Sequence, residues 1–234
     1  MINVNINVET QLLTIKEETN LTIVELAETQ ESIDRDAFLS ELRIVADYLE
    51  DESISNVVVF KGLCLEMTGD TEVPSSDFFR RWEKVLNQLE KLPKVLIAVL
   101  DGTCENFLMQ LALCCDYRVA TENTTFISSE IKVGYLPGIS TLYLTKYVGM
   151  GLARRTILAG IPLKADKAYA EGLIDEMCTK EQLNEKVYEF IKLVTPKSIK
   201  AFQLGARLLR ESYANSYETA LGHYLAAQNK CIDK

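Results

Sequence analysis

One stretch narrows the possible folds more than any other: LIAVLDGTCENFLMQLALCCD, residues 96–116. Its opening, Val95 to Leu100, is an unbroken apolar run and reads as a strand buried on both faces. Asp101 and Gly102 punctuate it, and an apolar-rich segment from Phe107 to Cys115 reads as a buried helix. A strand that turns sharply into a helix leaves backbone N–H groups unpaired at the turn, and such groups can hold a developing negative charge. Any chemistry the chain carries is expected at this turn.

The flanking sequence supports an α/β class. Residues 2–8 alternate apolar and polar, as a half-buried strand does, and Leu12–Lys16 and Leu21–Leu26 read as two more strands. Residues 35–50 place apolar side chains at helical spacing behind a candidate N-cap, Asp34. A buried strand over 54–61 follows, then an irregular stretch, 63–75. A helix over 76–92 is capped by Ser75 or Ser76 and ended by Pro93. Beyond the central stretch come short strands at 117–120 and 125–127 and a loop over 129–138. Next are a helix from 139 that Gly149 stops, helices over 151–159 and 165–171, and a short strand, LIDEM. From Thr179 on, the chain reads as helices at 180–194, 196–211 and 213–230. The expected organisation is a core over 1–178 and a helical region over 179–234 that serves oligomerisation.

A formal net charge of −9 argues against general nucleic-acid binding, which needs a basic surface. The six cysteines show no CxxC spacing and mostly sit in apolar stretches, so reduced core thiols are expected rather than disulfides or zinc ligands. With no leader-like N-terminus and no apolar run of membrane-spanning length, a cytoplasmic protein is expected.

Four patches, in order, resemble the crotonase, or enoyl-CoA hydratase/isomerase, superfamily. VVVFKGLCLEMTGD (57–70) is similar to the strand and F-x-A-G-x-D loop of that family. KVLIAVLDGTCENFLMQLALCCDYRVA (94–120) is similar to its strand, N-G-x-x-x-G-G-G loop and helix ending in C-D. TTFISSEIKVGYLPGISTLYLTKYVG (124–149) and AGIPLKADKAYAEGLIDEM (159–177) resemble its F-x-x-P-E-x-x-x-G-x-x-P-G and A-x-x-x-G-L-V segments. The resemblance implies a spiral of strand–strand–helix units, a C-terminal helical region and a homotrimer or hexamer. It also implies an acyl-thioester carbonyl held between two backbone N–H donors, with carboxylates moving protons at carbon.

Carried across residue by residue, the resemblance puts the first donor at Met67 and the second at Phe107, with Leu108 beside it. The family has small residues and a glycine run here. Bulky side chains could instead narrow the hole or simply pack the helix into the core, and both readings stand. The first hydratase carboxylate falls on Gln110, an amide that can orient a water or a carbonyl but cannot act as a base. The second falls on Glu130, whose neighbours Ile127, Ile131 and Val133 are expected to make its carboxyl hold a proton more tightly. Pro137 and Gly138 shape the loop around it and complete the expected substrate pocket. Asp70 is expected in a loop role and Asp116 in structural hydrogen bonding.

A single carboxylate suits double-bond isomerisation or dehydration of an acyl thioester through an enolate, with Glu130 as the acid/base and no cofactor or metal. The first loop, ELAETQESID (25–34), is acidic where relatives carry cations for CoA. The thioester partner is therefore either CoA or the phosphopantetheine of an acyl carrier protein. The competing expectation is a catalytically silent crotonase-fold accessory protein that assembles with a partner enzyme, as in natural-product biosynthesis. It predicts a pocket filled by Phe107 or Met67.

Overall fold

A computed structural model describes residues 11–26, 32–68, 72–212 and 215–232. The strand expected over residues 2–8 and the loop residue Asp70 lie outside these. Two antiparallel strands, β1 (Leu13–Glu18) and β2 (Leu21–Leu26), open the described chain. From β2 on a unit recurs: one strand joins a large sheet, a very short strand joins a small sheet, and a helix follows. The first unit is β2, β3 (Ser32–Asp34) and α1 (Arg35–Asp51). The second is β4 (Val57–Lys61), β5 (Glu66–Thr68) and α2 (Ser76–Lys91). The third is β6 (Val95–Leu100), β7 (Thr103–Glu105) and α3 (Asn106–Cys114). The fourth is β8 (Tyr117–Thr121), β9 (Thr125–Ile127), α4 (Glu130–Val133) and α5 (Ser140–Ile157). Then come β10 (Leu163–Lys164), α6 (Ala165–Ala170) and β11 (Glu176–Cys178), followed by α7 (Leu183–Val194), α8 (Ile199–Glu211) and α9 (Tyr217–Ile232).

The large sheet runs β1-β2-β4-β6-β8-β11 and is parallel from β2 onward. Its central strands β4 and β6 are apolar on both faces because both faces are covered. Val58, Phe60, Leu96 and Ala98 meet α1, α2 and α3, while Val57, Val59, Val95, Ile97 and Val119 meet Val187 and Phe190 of α7. The small sheets are β3-β5 and β10-β9-β7.

The helices start where side chains satisfy their free N–H groups. Asp34 accepts from Ala37 N–H at 2.8 Å, and Ser75 accepts from Phe78 N–H at 3.1 Å. Burial of Phe38, Leu42, Val45 and Leu49 on one side of α1 follows their three- and four-residue spacing. Asp116 takes its expected structural role, accepting from Leu96 N–H at 2.9 Å and lying 3.6 Å from Arg210.

Several boundaries differ from expectation. The strand expected from 54 starts at Val57, because Ile54 is 92% exposed and outside the ladder. The stretch 63–75, expected to be irregular, contains β5, and the loop over 129–138 contains the single turn α4. The helices expected on either side of Gly149 are two arms of α5, kinked where Gly149 takes φ 73° and ψ 163°.

Arg118, in the middle of β8, is 1% exposed and was not foreseen as a core residue. It donates to the carbonyls of Leu173 (2.5 Å) and Cys115 (2.8 Å), lies 3.5 Å from Asp175, and stacks at 4.5 Å on the Tyr147 ring. A buried guanidinium persists only when its donors are met. Among the described residues no helix is long and apolar enough to cross a membrane, and no cluster of three His, Cys, Asp or Glu side chains could hold a metal ion.

Candidate functional site

The strand-to-helix turn that opens the sequence argument is built by β6, β7 and α3. After Gly102 the chain pairs as β7 with β9, in parallel, and Glu105 lies opposite Ile127. This pairing carries the start of α3 to the Ser128–Glu130 segment. Asn106 holds the junction. It is the non-glycine residue at positive φ (50°) among the described residues, and its side-chain oxygen accepts from Ser129 N–H at 2.9 Å and from Ser129 Oγ at 3.0 Å. Asparagine tolerates this left-handed backbone better than most residues.

Glu130, the first residue of α4, is completely buried. Ser128 Oγ donates to its Oε2 at 2.5 Å, and Gln110 Nε2 stands 3.4 Å from its Oε1. Gln110 Oε1 in turn accepts from the Trp82 indole N–H at 2.9 Å. Gly138, at φ 42°, passes over this group, and a Cβ there would come within 2.8 Å of Gln110 Oε1 and 2.7 Å of Glu83 Oε1. A side chain there would have to displace the ends of Gln110 and Glu83 and adopt a left-handed backbone, which glycine does without strain. Burial, with Glu90 nearby, raises the Glu83 carboxyl above its ordinary range. The structure thus brings Gln110, Glu130 and Gly138 together, as expected, with Pro137 buried in the same loop.

The donor residues tell a different story. Phe107 is 1% exposed, and its ring packs edge-on against Phe78 (5.1 Å between centroids) and Trp82 (5.2 Å) and stacks on Tyr135 (6.0 Å). Leu108 is wholly buried, and Met67, in β5 opposite Ile33, is 4% exposed. Both expected donor residues thus have their side chains packed into the core, Phe107 within an aromatic cluster. The physical reason is the Phe107 side chain itself: it fills, between α2 and Tyr135, room that a glycine would leave empty. A groove of about 560 Å³ does open nearby, at the carboxyl ends of β2, β4 and β6, lined by Glu25, Lys61, Cys64, Leu65, Asp101 and Lys180. It includes Leu65, two residues before Met67.

Sequence reasoning did not foresee Trp82, Ser128, Asn106 or Tyr135 at this place. Trp82 carried a readable signal, since a lone tryptophan on the apolar face of a helix needs an acceptor for its N–H. Ser128, two residues before the carboxylate, carried none.

Comparison with known proteins places these features in context. The family model described as "Enoyl-CoA hydratase/isomerase" matches residues 28–234. An "Enoyl-CoA-hydratase" of Amycolatopsis orientalis is 26% identical over 196 residues, spanning 84% of this chain and 89% of that protein. A "Short-chain-enoyl-CoA hydratase" of Clostridium acetobutylicum is 29% identical over 150 residues, covering 64% of this chain but only 58% of its own length. The crystal structure of a "putative enoyl-CoA hydratase" from Streptomyces coelicolor A3(2) superposes with a TM-score of 0.84 at 22% identity, covering 96% of this chain and 87% of that one, and so shares its fold.

Proposed function

The chain belongs to the enoyl-CoA hydratase/isomerase family, and from that membership we propose that it acts on a small acyl thioester, with Glu130 as its one acid/base. The observation that carries this reading is the buried, oriented carboxyl: Glu130 is fully buried, yet Ser128 and Gln110 point both its oxygens. Burying a carboxyl is costly unless it is satisfied, and a satisfied carboxyl facing a polar amide in an apolar box is suited to proton transfer at carbon. In the proposed reaction Glu130 takes a proton from the carbon next to the thioester carbonyl. The charge passes to the carbonyl oxygen between the N–H groups of Met67 and Phe107. Glu130 then returns the proton two carbons along, which shifts the double bond. Dehydration uses the same enolate, with Glu130 passing its proton to the hydroxyl on the neighbouring carbon, which leaves as water. Gln110 orients the group it faces and moves no proton. The Phe107 ring must swing aside, so only short acyl groups fit.

The packing of Phe107 favours a second reading, a silent crotonase-fold protein that supports a partner enzyme. One titration separates the two. Crotonyl-CoA and crotonyl-pantetheine are added to the protein in a calorimeter, and 3-butenoyl-CoA is assayed for conversion to crotonyl-CoA. Binding, with turnover lost by at least about a hundredfold in Glu130→Gln, supports the enzyme and identifies the carrier. No heat from either ligand at millimolar concentration leaves the accessory role.

A further inference from the structure

We propose that Cys64 and Cys104 form a reversible, oxidation-driven disulfide that ties together the two segments carrying the candidate N–H donors. Strands β4 and β6 are parallel neighbours, with Phe60 opposite Ala98, so the chain leaves both at the same end of the sheet. Cys64 lies on the segment leaving β4 and Cys104 on the one leaving β6. Each precedes a candidate donor by three residues, Met67 in one case and Phe107 in the other. The Cys64 thiol is a neighbour of the buried Cys104 thiol and, with burial, holds its proton on. A Cβ on Gly102 would sit 3.5 Å from Cys64 Cβ, which places the Cys64 side chain against the β6–β7 turn.

Exposure divides the roles. Cys64 is half-buried and lines the 560 Å³ groove, where a small oxidant can reach it. Cys104 is buried, and of the two cysteines that act on its thiol, Cys64 and Cys115, Cys64 is the one open to the groove. The other buried pair behaves differently: the thiols of Cys114 and Cys115 donate to the carbonyls of Leu86 and Leu111.

The oxidant is a small disulfide such as oxidised glutathione. The Cys64 thiolate attacks one of its sulfurs, forming a mixed disulfide and releasing one glutathione thiolate. The Cys104 thiol gives up its proton and attacks Cys64 sulfur, expelling the second glutathione. Two protein thiols become one disulfide of about 2.0 Å, and one small disulfide becomes two thiols. Burial pushes the Cys104 thiol well up, so this second step is slow and quickens as pH rises.

The effect of the bond on thioester binding rests on the function proposed above; its formation does not. The full chain is treated with oxidised glutathione, free thiols are blocked, and the protein is cleaved after Lys, Arg and Glu. Cleavage after Glu105 separates Cys104 from Cys114 and Cys115. The expected product is a linked peptide containing Cys64 and Cys104, two hydrogens lighter than the sum of its parts and split by dithiothreitol. In Cys104→Ser, Cys64 should instead accumulate as a glutathione adduct. Finding Cys64 as that adduct in the unaltered protein, with Cys104 free, overturns the proposal, as does finding both thiols free. Calorimetry with crotonyl-CoA on the reduced and linked forms is read separately. Binding by neither the reduced nor the linked form counts against the proposed function and leaves the disulfide standing.

Discussion

The indole N–H of Trp82 donates to Gln110 Oε1 at 2.9 Å and thereby turns the other end of the same amide toward Glu130. One hydrogen bond from α2 sets which face of Gln110 the carboxyl meets. Trp82→Phe keeps a ring in the aromatic cluster but removes this donor. It is expected to cost about 1–3 kcal/mol in urea unfolding, the penalty for a buried acceptor left without its partner. In Gln110→Leu neither the amide nor its acceptor remains, so adding Trp82→Phe to that background should cost clearly less. Equal costs in the two backgrounds would show that the indole does not act through Gln110.

Phe107→Ala removes the ring packed against Phe78, Trp82 and Tyr135. A loss of about 3–5 kcal/mol is expected, as for other buried phenylalanines. Under the function proposed above, the same change makes room for the thioester beside the Phe107 N–H. Crotonyl-CoA should therefore bind the variant more tightly than the parent chain, which calorimetry measures at a temperature where both are folded. Unchanged or weaker binding would remove the ring as the barrier.

Asn106→Ala combines a left-handed backbone with the loss of the acceptor for Ser129. About 1–2 kcal/mol of destabilisation is expected, and Asn106→Gly, which keeps the backbone comfortable, should lose less. Thermal melts of the pair decide this.

Asp116 gives a pH signature. Burial pushes its carboxyl up to about 6, although Leu96 N–H, Arg210 and Arg118 pull it down. Between about pH 4 and 6 the folded chain holds a proton that the unfolded chain has lost. Stability should therefore fall as pH rises through that window, by about 2–3 kcal/mol from this group. Asp116→Asn should flatten that part of the stability–pH curve, measured by urea midpoints at closely spaced pH values.

Arg118→Met leaves Asp175 facing a side chain with no charge and strands the carbonyls of Leu173 and Cys115. The expected loss is about 3–5 kcal/mol. Substituting Asp175→Asn as well should restore part of it, and denaturant melts of the single and double variants test this.

The long elements were legible because their signals are local. Val95 to Leu100 is apolar throughout, and Asp34 and Ser75 stand where helices need acceptors. Of the short strands, β9 was legible but β3, β5, β7 and β10, two or three residues long, were not, because they exist only through partners distant in sequence. Within the site, the spacing from Gln110 to Glu130 and the Pro137–Gly138 turn could be read in advance. The occupancy of the pocket could not: whether Phe107 blocks or lines a cavity depends on Phe78, Trp82 and Tyr135, which come from three separate segments. Arg118 was overlooked because a charge in the middle of a short strand reads as solvent-facing until its carbonyl partners are placed.

The two candidate donors ride on different small sheets, Met67 on β3-β5 and the segment before Phe107 on β10-β9-β7. No ladder of backbone hydrogen bonds joins those two sheets among the described residues. Mechanically, the two candidate donors stand on separate mounts, so a change within one small sheet can shift one of them while the other keeps its place.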